Sequence, residues 1–167
     1  QAASFSKRCN NSAVSIGFRK IKVTSSPLCS ILIVDDNATM RTLLRGILRS
    51  DETAPFEVVG EAGDCDSALE QALKLRPDIV CLDIIMPKGN GLDVLKKIRA
   101  ELPQTVVLMV SSSHDSATVK AAVSGGAAGY IVKPFNSTTI LNVMRQAVEK
   151  SRALKAAAAK SADAPPS

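Results

Sequence analysis

Tryptophan is absent from this chain, and one tyrosine and four phenylalanines are the only aromatic rings in 167 residues. That scarcity argues against a platform of stacked rings for single-stranded nucleic acid. The chain has one histidine, His114, and four cysteines, at positions 9, 29, 65 and 81, with no C-x-x-C spacing. The spacing is not that of a zinc ribbon or finger, and the single His114 cannot complete a zinc set. Cys81 sits inside an apolar run and reads as a small core residue. Reduced thiols and a cytoplasmic setting are expected. No apolar run approaches the roughly 18 residues that cross a bilayer, so membrane insertion is not expected.

Acid is missing from the first 30 residues, which carry Lys7, Arg8, Arg19, Lys20 and Lys22. Residues 31–150 hold 13 basic and 15 acidic residues, and Arg152, Lys155 and Lys160 face only Asp163 at the end. The net charge of +5 therefore belongs to the ends, not the middle. Solvated tails are the simplest reading, and specific nucleic-acid binding is not expected. Residues 1–28 read as a disordered basic extension, 29–150 as the folded core and 151–167 as an Ala/Lys/Pro tail. The acid-free, Ser- and Arg-containing start mildly resembles an organelle transit segment, and an engineered start would read the same way.

From Ser30 the pattern changes. Apolar runs at 31–36, 56–62, 78–83, 105–111 and 128–133 read as strands. Helical patterns follow each, at 37–50, 66–75, 91–102, 116–126 and 136–160. In the first helix Met40, Leu43, Leu44, Ile47 and Leu48 recur at helical spacing, with Asn37 as N-cap. In the second, Ala68, Leu69, Ala72 and Leu73 are expected inward. The fourth reads as the least apolar helix, stopped by Gly125 and Gly126, which suits a mobile element. Strands buried on both faces lose polar alternation, and three of these five are nearly continuous apolar runs. The reading is a doubly wound α/β fold, with working groups at the carboxyl ends of the strands.

Those ends are chemically unusual. The first strand closes on Asp35-Asp36, the third on Asp83, the fourth on Ser111-Ser112-Ser113 and the fifth on Lys133-Pro134. In strand order 2-1-3-4-5 the three carboxylates converge, flanked by a hydroxyl and an ammonium. Clustered carboxylates repel, and a hard divalent cation with oxygen ligands, Mg2+, resolves the repulsion. A carboxylate so placed can also attack phosphorus to give an acyl phosphate. Mg2+, Lys133 and the Ser111 hydroxyl would then neutralise the phosphoryl oxygens.

The segments "ILIVDDNATMR", "DIVCLDIIMPKGNGLDVLKKIR", "VVLMVSS" and "GAAGYIVKPF" together resemble the receiver domain of two-component response regulators, most closely the chemotaxis-type single-domain regulators. The resemblance covers roughly residues 30–150. It implies a flavodoxin-like (βα)5 fold. It also implies roles: Asp83 accepts a phosphoryl group from a histidine kinase or phosphotransfer protein. Asp36 ligates Mg2+, Asp35 helps hold the metal or its water, and the Ile85 carbonyl is a further ligand. Ser111 moves toward the phosphoryl group, Tyr130 is the aromatic switch that follows it, and Lys133 pairs with phosphoryl oxygens ahead of a cis Pro134. Ile85 and Ser113 occupy the positions that tune the lifetime of the acyl phosphate. An apolar Ile85 cannot orient an attacking water. His114, in the loop after the fourth strand, reads as a solvated side chain.

The expected function is a phosphorylation-driven switch, not an enzyme beyond its own phosphotransfer and dephosphorylation. Its effector would be read on the face of the fourth helix, fifth strand and fifth helix. No helix-turn-helix pattern follows residue 150. The alternatives are a phosphorelay shuttle or phosphate sink, or the receiver fragment of a larger regulator whose output domain is absent. An aspartyl-nucleophile phosphatase fits less well, because Asp35-Asp36-Asn37 lacks a second acid two positions on.

Overall fold

The computed structural model describes residues 28–51 and 56–162. The basic extension up to residue 27 and the Pro165-Pro166 stop lie outside the described residues. Alternation of β-branched runs with amphipathic segments gives β1 (Cys29–Val34), α1 (Ala38–Arg49), β2 (Phe56–Ala62), α2 (Cys65–Leu75) and β3 (Ile79–Leu82). A small hairpin follows, β4 (Ile85–Met86) and β5 (Gly89–Asn90), then α3 (Gly91–Glu101), β6 (Val106–Ser111), α4 (Ser116–Ser124), β7 (Gly129–Val132) and α5 (Ser137–Ala162). The five long strands form one parallel sheet in the order β2-β1-β3-β6-β7. With the hairpin left uncounted, this is the expected 2-1-3-4-5.

Alternate residues of each strand feed opposite cores. Ile31 and Ile33 join Leu44, Leu48 and Met144 beneath α1 and α5. Leu32 and Val34 join Ala68, Ala72, Leu95 and Ile98 beneath α2 and α3. Each fully buried Ile or Leu contributes about 1.5–3 kcal/mol by leaving water. Burial on both faces is why the strands read as unbroken apolar runs.

Helix faces differ from the sequence reading in detail. In α1, Leu44, Ile47 and Leu48 are buried, but Leu43 is 45% exposed. It lies with Met40 beside Pro134 and Phe135 at the margin of the helix, not against the sheet. In α2, Ala68 and Ala72 meet the sheet and Leu73 is exposed. The fourth helix is not the least apolar. Ala117, Val119, Ala121, Ala122 and Val123 make it apolar, but only Ala122 is buried and Val123 is 62% exposed. Its side chains are too small and too evenly spread to define one inward face. Gly126 supports the turn after it with φ +93, a conformation that favours glycine.

The fifth helix runs to Ala162, close to the 136–160 of the sequence reading, so the segment after 150 that reads as a tail is helical as far as that residue. Ala and Lys are strong helix formers. Ser151 is buried, Leu154 packs on the α1/α5 core, and Lys155 pairs with Asp78 at the amino end of the sheet.

Candidate functional site

Parallel strands deliver their last residues to one edge. Val34 of β1 is level with Leu82 of β3, so Asp35 and Asp83 emerge side by side. The Asp83 N–H donates to the Val34 carbonyl at 2.9 Å. Oxygens of Asp35, Asp36 and Asp83 lie within 4.8 Å of one another. Asp35 and Asp83 are buried and Asp36 is exposed.

Each buried acid is held by hydrogen bonds. Asp35 Oδ1 accepts from the Asn37 N–H at 2.9 Å, and Asp83 Oδ1 from the Ile85 N–H at 3.2 Å. Lys133 Nζ, delivered by β7, donates to Asp35 Oδ2 and Asp83 Oδ2, both at 2.6 Å. Burial alone would push the Lys133 pKa down, but the bonds to Asp35 and Asp83 and their charges outweigh it, and the value is raised. The ammonium is therefore charged across the physiological range. Lys133-Pro134 is a cis peptide.

Three carboxylates and one ammonium leave an excess of negative charge facing solvent through Asp36. All donor atoms are hard oxygens. That set fits a divalent cation of the Mg2+ or Ca2+ kind and not a thiophilic metal.

The hydroxyl side of the site is also assembled. Ser111 ends β6, fully buried, and its Oγ accepts the Ser113 N–H at 3.3 Å. Tyr130 of β7 donates its hydroxyl to the Ser113 carbonyl at 2.6 Å. Burial is the main reason the Tyr130 pKa is raised. Ser113 Oγ donates to Asp115 Oδ2 at 2.7 Å, and Asp115 Oδ1 caps α4 at the Thr118 N–H. Those hydrogen bonds, from Ser113 first and Thr118 second, hold the Asp115 carboxyl well below the usual carboxylate range. Ile85 is 59% exposed beside Asp83. His114 is exposed and lies outside the acidic cluster.

Two features had weak signals in the sequence. Gly91 opens α3 with its N–H donating to the Ile84 carbonyl at 2.8 Å. A Cβ there would lie 2.0 Å from the Asp83 carbonyl oxygen. The Pro87–Gly91 loop hinted at a turn, but not at this contact. Arg41 Nη1 donates to the Asp35 carbonyl at 2.7 Å, while its Nε donates to Glu61 Oε2 at 3.2 Å. Nothing in the sequence joins a helix arginine to a strand glutamate 20 residues away.

Residues 31–162 match the model of the response regulator receiver domain. The chain is 38% identical over 116 residues to the chemotaxis protein CheY of Thermotoga maritima, covering 70% of this chain and 94% of that one. It is 37% identical over 122 residues to CheY of Listeria monocytogenes, covering 73% and 100%. Protein-glutamate methylesterases also match, one from Pyrococcus horikoshii at 42% identity, but over only 31% of that protein's length. Among solved structures, the response regulator domain of Thermotoga maritima CheB superposes with a TM-score of 0.63 at 38% identity, covering 77% of this chain and 96% of that one. CheY in a CheX–CheY–BeF3–Mg2+ complex from Borrelia burgdorferi gives 0.64 at 31% identity, covering 68% and 84%.

Proposed function

The chain belongs to the response regulator receiver family, and from that premise we propose that it is a phospho-aspartate switch with Asp83 as acceptor. The observation that carries this reading is the ammonium of Lys133 held 2.6 Å from both Asp83 and Asp35, the two buried members of the acid cluster. An oxygen of Asp83 attacks the phosphorus of a phosphohistidine on a kinase or phosphotransfer protein. The O–P bond forms as the N–P bond breaks, and the imidazole leaves. Asp35, Asp36, Asp83 and the Ile85 carbonyl would hold Mg2+, which when bound supplies charge neutralisation for the phosphoryl oxygens. Lys133 supplies the fixed positive charge on the other side.

The signal leaves through Ser111. Its hydroxyl now accepts from Ser113, and a phosphoryl group on Asp83 offers it a stronger, charged acceptor. Ser113 also bonds Tyr130 and, through Asp115, the first turn of α4. Movement of Ser111 therefore reaches the α4–β7–α5 face, where an effector protein would dock. A CheY homologue at 31% identity occurs in a complex named with BeF3, Mg2+ and the protein CheX, which supports both the cation and a protein partner. No helix among the described residues is long and apolar enough to cross a membrane, and the cytoplasm is the setting we assign.

The test has two arms. Incubation with a small-molecule phosphodonor and Mg2+ should label the protein stoichiometrically, and Asp83→Asn should not be labelled. Continued turnover of a phosphomonoester would instead make it a phosphatase. Affinity capture with and without beryllofluoride and Mg2+ should retain a partner only with the mimic. Equal capture in both states would favour a phosphate shuttle or sink.

A further inference from the structure

Among the charged groups near the acid cluster, Arg41 has no part in the phosphotransfer chemistry above. It sits in the first turns of α1, which starts at Ala38 directly behind Asp35-Asp36. Its guanidinium is held from two sides. Nε donates to Glu61 Oε2 at 3.2 Å, and Glu61 is itself anchored in β2 beside Ile33 of β1. Nη1 donates to the backbone carbonyl of Asp35 at 2.7 Å and approaches that of Asp36 at 3.5 Å. The arginine thus grips the peptide units of the acid pair and leaves both carboxylates open.

We infer that Arg41 is a positioning residue for the cation site: oriented by Glu61, it fixes the Asp35-Asp36 turn so that both carboxylates face Asp83. The inference rests on the acid cluster holding a divalent cation. Two carboxylates on consecutive residues do not naturally point the same way, because successive side chains of an extended chain diverge. Convergence requires a defined peptide plane between them, and a guanidinium anchored on Glu61 through Nε and donating to the Asp35 carbonyl through Nη1 sets that plane. The constraint matters most for Asp36. Asp35 is also held by Asn37 and Lys133, whereas Asp36 is exposed and its direction follows from the backbone.

Arg45 provides an internal control. It lies one turn further along α1 and meets the same glutamate, Nη1 to Glu61 Oε1 at 2.8 Å. That hydrogen bond goes to Glu61, not to the Asp35-Asp36 backbone. If the arginines served only to tie α1 to β2, losing either would have similar consequences. If Arg41 positions the acid pair, only its loss changes cation affinity.

The experiment is calorimetric titration of the full chain with Mg2+ alone, repeated with Mn2+, alongside cation-free thermal unfolding. Arg41→Met should weaken Mg2+ binding by about 10-fold or more, the usual consequence of removing a group that orients metal ligands. Arg45→Met should change it by less than about 2-fold, and Arg41→Lys should fall between, since an ammonium cannot bridge Glu61 and Asp35 as a fork does. If the parent binds both cations and Arg41→Met binds them as tightly, or if Arg45→Met loses as much, the positioning role is overturned while the phosphoacceptor reading stands. If the parent binds neither cation, the reading of the site falls and this inference with it. Should Arg41→Met fail to fold, Arg41→Lys and Glu61→Gln carry the test, and parent-like affinity in both overturns the role.

Discussion

The two ends of the sheet each hold a buried aspartate paired with a lysine, and the pairs do different things. At the amino end, Asp78 meets Lys155, and its other oxygen accepts the Ser30 N–H at 3.0 Å. The Asp78 N–H in turn bonds Ser30. One acid, one base and the starts of two strands balance each other, and the last turns of α5 lie over them. At the carboxyl end, Lys133 serves two buried acids and a third stands in solvent, and among the described residues no second side-chain cation is hydrogen-bonded to these carboxylates. The lesson is that a buried ion pair says little by itself about function. What distinguishes the ends is stoichiometry: a one-to-one pair balances its own charge, and an acid excess at strand ends is a set of oxygens that could hold a cation.

The comparison can be broken most sharply by exchanging charge for amide at each end. Asp83→Asn should bring phosphodonor labelling to background, whereas Asp78→Asn should be labelled normally and unfold more easily. Loss of labelling in both variants would erase the distinction. Next in size is Gly91→Ala. Its new methyl collides with the Asp83 backbone, which cannot rotate away, so urea unfolding should show a loss of about 3 kcal/mol, the upper range for overpacking.

The amino-end pair should behave as a stability element with its own pH signature. Burial pushes the Asp78 carboxyl up, but the hydrogen bonds from Lys155 and Ser30 more than reverse this, and its pKa lies below the ordinary value. A depressed folded-state pKa contributes stability that is present above the unfolded value, about 3.9, and is lost as pH falls through the folded value. The stability gap between parent and Asp78→Asn should therefore hold from pH 7 to 5 and shrink below about pH 4. Lys155 is half exposed, so Lys155→Met should cost only about 1 kcal/mol. A gap that widens in acid would show that the pair is not the source.

The smallest expected effect is kinetic. Ile85→Asn places an amide beside Asp83 where an exposed apolar side chain now stands, and it should speed spontaneous loss of phosphate by orienting a water. Equal or slower loss, followed by decay of the label, would remove Ile85 as a determinant of signal lifetime.

Strand ends were the most legible part of the sequence. Parallel strands must all finish at one edge, so residues that close apolar runs become neighbours whatever lies between them. That is how Asp35, Asp83, Ser111 and Lys133 could be grouped. Helix faces were less legible, because a repeat such as Met40, Leu43, Leu44, Ile47 and Leu48 is wider than the strip a helix can bury. Leu43 fell on its margin. The end of α5 was obscured because alanine and lysine favour helix without saying whether it is docked; Leu154 and Asp78 decide that through tertiary contact. The Arg41–Glu61 link and the Gly91 contact were invisible for the same reason, since each depends on the register of one element against another.

The length of α5 has a mechanical consequence. Its 26 residues span about 39 Å, against about 20 Å for the six residues of β6. The helix starts just past Lys133-Pro134, at the pole of the acid cluster, and reaches the amino end of the sheet at Lys155. Beyond that point Ala156–Ala162 projects roughly another 10 Å. The helix is packed on the core through Ile140, Met144, Ala147 and Val148, so a small tilt of that packed part would be a larger displacement at its exposed last turns. A dye attached at Ser161 would sit far enough from Asp83 to leave it unobstructed, and would register any such tilt.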